Sequence, residues 1–427
     1  TDTGRTSFLV AVAAGQTVTV GFGDVPHYET LEDGDDVIDG GCGTNADILH
    51  GDDGSDLPWY VTTIGGNDDI RGRAGDDQIF GGQQGDTIRG EEGNDTITGG
   101  DTESNRIDGG DGNDTVTGGA AGDVITGGAG QDTLTGAAGD DTIFGDADDD
   151  VLLGGEGDDT LVGGGGKDEV YGENGDDTLF VVDTVLGGAF AVNPGAAADT
   201  YVGGAGTDTI VVRANISSSL TNAAVKVYGT SHAIGSIDNA LLTGGSSGNT
   251  IDAAAFGGTT TIRGLGGNDT LSGGTSIDAI FGGAGDDAIS GGSGADDLRG
   301  EDDNDQIAGD AGGDTIRGGA GFNTLIGGSD SDTYIFAGVF DDSVIENAAG
   351  GASDVLDLSA VSGSLMAVID ASSGTRISGW SPLRAVQYYG NEVERIVLGS
   401  GNDVVYLQDS VTTAARIEAG TGEDTLS

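Results

Sequence analysis

The residues with the most evident chemistry are aspartates that return every nine positions. From Gly109 to Phe180 the chain divides without a gap into eight lines: GGDGNDTVT, GGAAGDVIT, GGAGQDTLT, GAAGDDTIF, GDADDDVLL, GGEGDDTLV, GGGGKDEVY and GENGDDTLF. The sixth place of each is an acid: Asp114, Asp123, Asp132, Asp141, Asp150, Asp159, Asp168 and Asp177. Four lines from Thr63 to Thr98 place Asp68, Asp77, Asp86 and Asp95 there, and two isolated lines place Asp36 and Asp208. Eight further lines from Gly264 to Ile335 supply Asp269, Asp278, Asp287, Asp296, Asp305, Asp314, the neutral Asn323, and Asp332. If successive turns of a coil stack these carboxylates, they fall roughly 5 Å apart. Like charges that close must be neutralised. Calcium meets the need, because it accepts oxygens from carboxylates and turn carbonyls in tolerant geometry. The twenty-one aspartates named here are therefore the candidate metal ligands, and Asn323 is expected to make the weakest site.

The elements that must hold these acids follow from the rest of each line. The first six residues are mostly Gly, Asp, Asn and small residues, which predicts a tight turn with several backbones at positive φ. The last three read polar, aliphatic, variable, a minimal strand whose middle side chain points inward. Val116, Ile125, Leu134, Ile143, Leu152, Leu161, Val170 and Leu179 hold that middle place in the first eight-line run. A three-residue strand cannot stand alone. Wound with two lines per turn, it pairs with the line eighteen residues away and buries a column of aliphatics. Glycine contributes 86 of the 427 residues, which disfavours long helices, and no apolar helical run or heptad is evident.

The lines GGAGQDTLT, GGEGDDTLV and GGAGTDTIV resemble the GGxGxDxUx nonapeptide of the RTX (repeats-in-toxin) proteins. The resemblance covers about two thirds of the sequence. It implies an all-β fold, a right-handed parallel β-roll or β-helix solenoid in two calcium-binding arrays with plainer β segments between them. It also implies export through a type I system as an unfolded chain. Extracellular-type sites bind calcium at ~10⁻⁴–10⁻³ M, so folding would start only outside the cell.

Along the chain, residues 1–30 read as a non-repeat β segment. Arg5 followed by Phe8–Ala14 resembles a short signal peptide, yet Val18, Val20 and Phe22 continue in alternation, and we favour an edge strand. A first array occupies 31–180, irregular before residue 63, with Pro58 at an inward place where it should break the coil. Residues 99–108 number ten instead of nine, which predicts a bulge and a missing or distorted calcium. A β-rich interlude (181–263) contains one regular line, a second array spans 264–336, and a C-terminal β segment (337–427) ends in the fresh line AGTGEDTLS. The interlude and the last ninety residues echo one another, which suggests a longer period of array and plainer β segment. With nothing to cover its last strand, the chain is expected to continue into a partner subunit or a longer parent.

Composition bounds the function. Against 73 acids stand 15 bases, a net charge of −58, which excludes electrostatic binding of nucleic acid or anionic membranes. One Ca²⁺ on each of the twenty regular lines would offset up to about 40 of those charges. Cys42 is the only cysteine, so there is no disulfide framework, and no stretch has the length of a membrane helix. Enzyme signatures are poor. Gly244–Gly248 fits GxSxG only in a glycine-rich background without the strand–turn–helix setting, Lys167 lacks a following Ser or Thr, and His27, His50 and His232 are scattered.

Two outward features remain. Arg71, Arg89, Arg263, Arg299 and Arg317 occupy the ninth place, either as solvated cations or as a stripe that docks an acidic face of a neighbouring copy. Phe144, Val162 and Phe180 share one side and should be covered, by residues 181–262 or by another molecule. The expectation is a non-enzymatic, calcium-binding structural protein of the cell surface or extracellular matrix (filament, S-layer or large adhesin). It would be homo-oligomeric through stacking or lateral contacts and could meet surface polysaccharide. The alternative is the C-terminal secretion and folding module of a type I exported enzyme, such as a protease, lipase or alginate epimerase.

Overall fold

A computed structural model describes residues 38–39, 48–50, 67, 69–100, 103–183, 198–213, 217–227, 230–337, 340–345, 353–363, 365–369, 375–379, 384–389, 393–407 and 416–427. Asp36, Asp68, Pro58 and the N-terminal β segment lie outside the described residues. Every regular element described is a β-strand. No helix among the described residues is long and apolar enough to cross a membrane. The chain forms two compact units, Thr1–Val181 with Leu186–Thr209, and Val182–Val185 with Ile210–Ser427.

In the first unit each line supplies one strand, and alternate lines join alternate sheets. Thr133–Ala138 pairs in parallel with Thr115–Gly119 and Val151–Glu156, so that Leu134 lies between Val116 and Leu152. Thr142–Ala147 does the same between Val124–Ala129 and Thr160–Gly165. The eighteen-residue spacing of partners is the two-lines-per-turn winding. Ile125, Ile143, Leu161 and Leu179 stack on one sheet and Val116, Leu134, Leu152 and Val170 on the other, all at 0 % exposure. The second unit repeats the scheme with Ile262, Ile280, Leu298 and Ile316 on one sheet and Leu271, Ile289, Ile307 and Leu325 on the other.

The strands are longer than the sequence suggested. They run six residues, from the seventh place through the third place of the next line, as in Thr133–Ala138 and Thr315–Ala320. Only places four to six remain as turn. Glycines at places one to three look like turn residues, but the first of them faces inward under a neighbouring carbonyl, and the ladder continues across it. Positive φ is confined in each regular line to places two and four, as at Gly128 (φ 115) and Gly130 (φ 125). Asp146 (φ 71) and Asp148 (φ 74), and likewise Glu301 (φ 80) and Asp303 (φ 77), hold both places without glycine.

The strand Arg106–Asp111 carries no bulge: Thr87 pairs with Arg106 and Ile88 with Ile107 in unbroken register. In the second unit the coil is interrupted twice by antiparallel excursions. Ser218–Thr221, Ala224–Val227 and Thr230–Gly235 form one meander, and Leu365–Ile369, Thr375–Gly379 and Arg384–Tyr389 form another. The first strand of each also pairs in parallel with a coil strand, Ser218 with Ile251 and Met366 with Val404.

Candidate metal centre

The sixth-place residues form hydrogen-bonded columns, one at each corner of the coil. Each donates its backbone N–H to Oδ1 of its counterpart one turn on: Asp114 to Asp132 at 2.8 Å, Asp132 to Asp150 at 2.8 Å, Asp141 to Asp159 at 2.8 Å. One column in the first unit runs through Asp77, Asp95, Asp114, Asp132, Asp150, Asp168 and Asp199. The other runs through Asp86, Asn105, Asp123, Asp141, Asp159, Asp177 and Asp208. The second unit has Asn249, Asp269, Asp287, Asp305 and Asn323 in one column. Thr260, Asp278, Asp296, Asp314, Asp332 and Asp354 make the other. Thus every predicted ligand among the described residues stands in a column.

Sequence reading missed several members. Asn105 restores the column after the ten-residue line, and Asp199 occupies the same place in a line whose first half is degenerate. Asp354 and Asp403 do so after first halves, GGAS and GSGN, that are one residue short. The usable signal was the shortened tail, an acid two residues before a buried Tyr or aliphatic: Asp199 before Tyr201, Asp354 before Leu356, Asp403 before Val405.

The chemistry lies in the second oxygen. Asp114, Asp132, Asp141, Asp159, Asp296 and Asp314 are each 1–2 % exposed, and Oδ2 of each has no hydrogen-bond partner. Oδ2 of Asp95, Asp123, Asp150, Asp177, Asp269, Asp287 and Asp305 is likewise buried and unpartnered. A buried charged oxygen without a partner is costly. Burial accordingly pushes the carboxyls up, against the opposing backbone hydrogen bond and reinforced in many by neighbouring aspartates. Asp132 and Asp296 rise to about 6, Asp141 and Asp314 to about 7, and Asp150 to about 8.

Each such oxygen looks into a gap kept open by the first-place glycine of its own line. A Cβ on Gly109 would collide with Asp114 Oδ2 and stand 2.7 Å from the Gly127 carbonyl oxygen. At Gly118 the corresponding neighbours are Asp123 Oδ2 and the Gly136 carbonyl, at 2.9 Å. Among the described residues no three acid, His or Cys side chains converge, so the remaining donors at each rung are backbone carbonyls. One anionic oxygen, carbonyl oxygens and no proton donor make a donor set for a hard cation, which fits Ca²⁺. Bound there, calcium supplies the positive charge that the buried carboxylates lack.

The turn also carries a ladder of opposite sense at the fifth place, a position the nine-residue pattern marks only as turn. Asn94 N–H donates to Asp76 Oδ1 at 2.8 Å, Asn113 to Asn94 at 2.8 Å, and Gln131 to Asn113 at 2.8 Å. These side chains are exposed. They tie successive turns from outside while the sixth-place column ties them from within.

The outward arginines prove to be engaged within the chain. Asp69 takes Arg89 at 2.8 Å and Arg71 at 3.6 Å. Asp297 takes Arg299 at 2.6 Å and also Arg317, while Arg263 and Arg299 lie 4.9 and 5.1 Å from the centroid of the Phe281 ring. Burial raises the Asp297 carboxyl, but the two guanidiniums outweigh it and hold the group below its usual range. This arrangement favours local charge relief over a free docking stripe. Phe144 and Phe180 flank Val162 on successive turns, with Val162 buried and both rings half-buried.

Comparison with known proteins agrees with this geometry. A search among curated proteins finds no match. The family model described as the RTX calcium-binding nonapeptide repeat (4 copies) matches residues 62–97, 80–103, 99–134, 117–152, 144–179, 195–211, 255–287, 272–307 and 308–343. These matches span more than half of the chain, which therefore belongs to the RTX calcium-binding nonapeptide repeat family, as a calcium-binding β-roll.

Proposed function

We propose that this protein is secreted and folds on meeting extracellular calcium, and that the folded coil serves as a structural component of a cell surface or extracellular matrix. The observation that supports this most is the column of buried Oδ2 atoms with no proton donor. Such a chain would not wind at neutral pH in a calcium-poor cytosol, and would wind at millimolar calcium outside. Typical family members leave the cell through type I systems, and a net charge of −58 keeps the metal-free chain expanded for export. The columns themselves are occupied in holding the fold, which supports a structural role. Assembly through homo-oligomeric contacts, in a filament, an S-layer or an adhesin, is the finer form of the reading. Electron microscopy of the purified chain with millimolar calcium tests it. Ordered sheets or filaments are the expected result, and monodisperse single particles at all concentrations would contradict assembly.

A further inference from the structure

Not every rung presents an open oxygen, and at Asn323, Asn105, Asp199 and Asp278 the protein itself places a proton donor where the lone oxygen stands elsewhere. At Asn323, Oδ1 accepts the column bond from Asp305 at 2.9 Å, and Nδ2 donates to Asp342 Oδ1 at 2.8 Å. A Cβ built on Gly318 would meet that Nδ2 at 2.6 Å, so the amide nitrogen lies where its neighbours place Oδ2. Asn105 is alike, with Nδ2 donating to Asp123 Oδ1 at 3.1 Å and standing 2.7 Å from a Cβ built on Gly99. At Asp199 the donor is a hydroxyl, Tyr201 Oη to Asp199 Oδ2 at 3.2 Å, from a ring that is 0 % exposed. At Asp278 it is the backbone, Gly274 N–H to Oδ2 at 2.6 Å.

We propose that these four rungs are closed to calcium and that they divide each column into separately loading blocks. The inference rests on the calcium reading above. A proton donor and a cation compete for the same oxygen lone pairs, and an amide nitrogen presents hydrogens where a metal needs an oxygen. In the first unit one column is open from Asp95 to Asp150 and is closed at Asp199, while Asn105 closes the other ahead of Asp123. In the second unit the open runs are Asp269–Asp305, closed by Asn323, and Asp296–Asp314, which starts after Asp278. Nearest-neighbour coupling in a solenoid passes from turn to turn, so a closed rung ends a cooperative block.

The test counts calcium ions bound per full-length chain by equilibrium dialysis at millimolar calcium. Tyr201→Phe keeps the buried ring and removes the proton, and Asn323→Asp replaces the amide by a second carboxylate oxygen. Each is expected to bind one ion more than wild type, whereas Asp132→Asn binds one fewer and Asp278→Asn binds the same number. Unchanged counts for both Tyr201→Phe and Asn323→Asp beside a loss in Asp132→Asn would overturn the closure of these rungs while leaving calcium binding intact. Loss of an ion in Asp278→Asn would overturn it independently. A wild-type chain that binds no calcium would instead overturn the calcium reading itself.

Discussion

The turns that end at Asp132 and Asp278 carry the same carboxylate at the same place of the same nine-residue line, yet they offer different chemistry. In GGAGQD the second and fourth residues, Gly128 and Gly130, are left-handed, which leaves Asp132 Oδ2 facing carbonyl oxygens alone. In GGTSID neither Gly274 nor Ser276 is left-handed, and the Gly274 N–H swings inward to Asp278 Oδ2. The cause lies one turn earlier, where buried Phe256 fills the corner. Its carbonyl receives the Thr275 N–H at 3.1 Å, and Ser276 Oγ donates to the Gly257 carbonyl at 2.7 Å. Between these two rungs it is the conformation of the turn, and not the presence of the acid, that makes the difference.

The largest expected effect on this comparison comes from pH in the presence of chelator. The folded carboxyls titrate above the unfolded value, at about 6 for Asp132 and about 8 for Asp150 against 3.8. A raised group adds stability in full below the unfolded value and loses it as pH climbs through the folded one. The metal-free coil should therefore gain β signal as pH is lowered from 8 toward 4, read by circular dichroism, and calcium should abolish that dependence. A metal-free chain more β-structured at pH 8 than at pH 5 would contradict the assignment.

Next in size are the aliphatics beneath the two turns. Leu134 and Ile280 are both 0 % exposed, so truncation to Ala should cost about 2–5 kcal/mol at either site in calcium-saturated denaturation. A much smaller cost at Ile280 would mean that the remade turn loosens the core as well as the site. A smaller difference separates the metal responses. Asp132→Asn should lower the calcium sensitivity of folding, whereas Asp278→Asn should leave the titration midpoint where it was. The smallest effect belongs to the Arg299–Asp297–Arg317 clasp, one third exposed, where Arg317→Gln should change stability by less than about 1 kcal/mol.

Much of this was legible in the sequence, because a strict period of nine leaves few windings that bury one aliphatic and one acid per line. The columns, the eighteen-residue pairing and the aliphatic core follow from it directly. What escaped did so for local reasons. Glycines at places one to three read as turn, although in Thr133–Ala138 and its kin the ladder runs through them. Asp199 lacks the glycine half of the line that marks the others, and in Asp403 that half, GSGN, is one residue short. The closure at Asp199 depends on a hydroxyl at the end of a side chain chosen for its place in the core, and nothing in a nonapeptide pattern separates that Tyr from a Leu. The antiparallel excursions look like plainer β segments in the sequence, because alternating apolar residues such as Ala224–Val227 suit either sense of pairing.

The central claim is that a cation supplies the charge these buried columns lack. Circular dichroism of the full chain at pH 7.5, before and after exhaustive chelation and again after calcium is restored, tests it most directly. The β signal should vanish on chelation and return with millimolar calcium. An unchanged spectrum in the chelator would contradict the account.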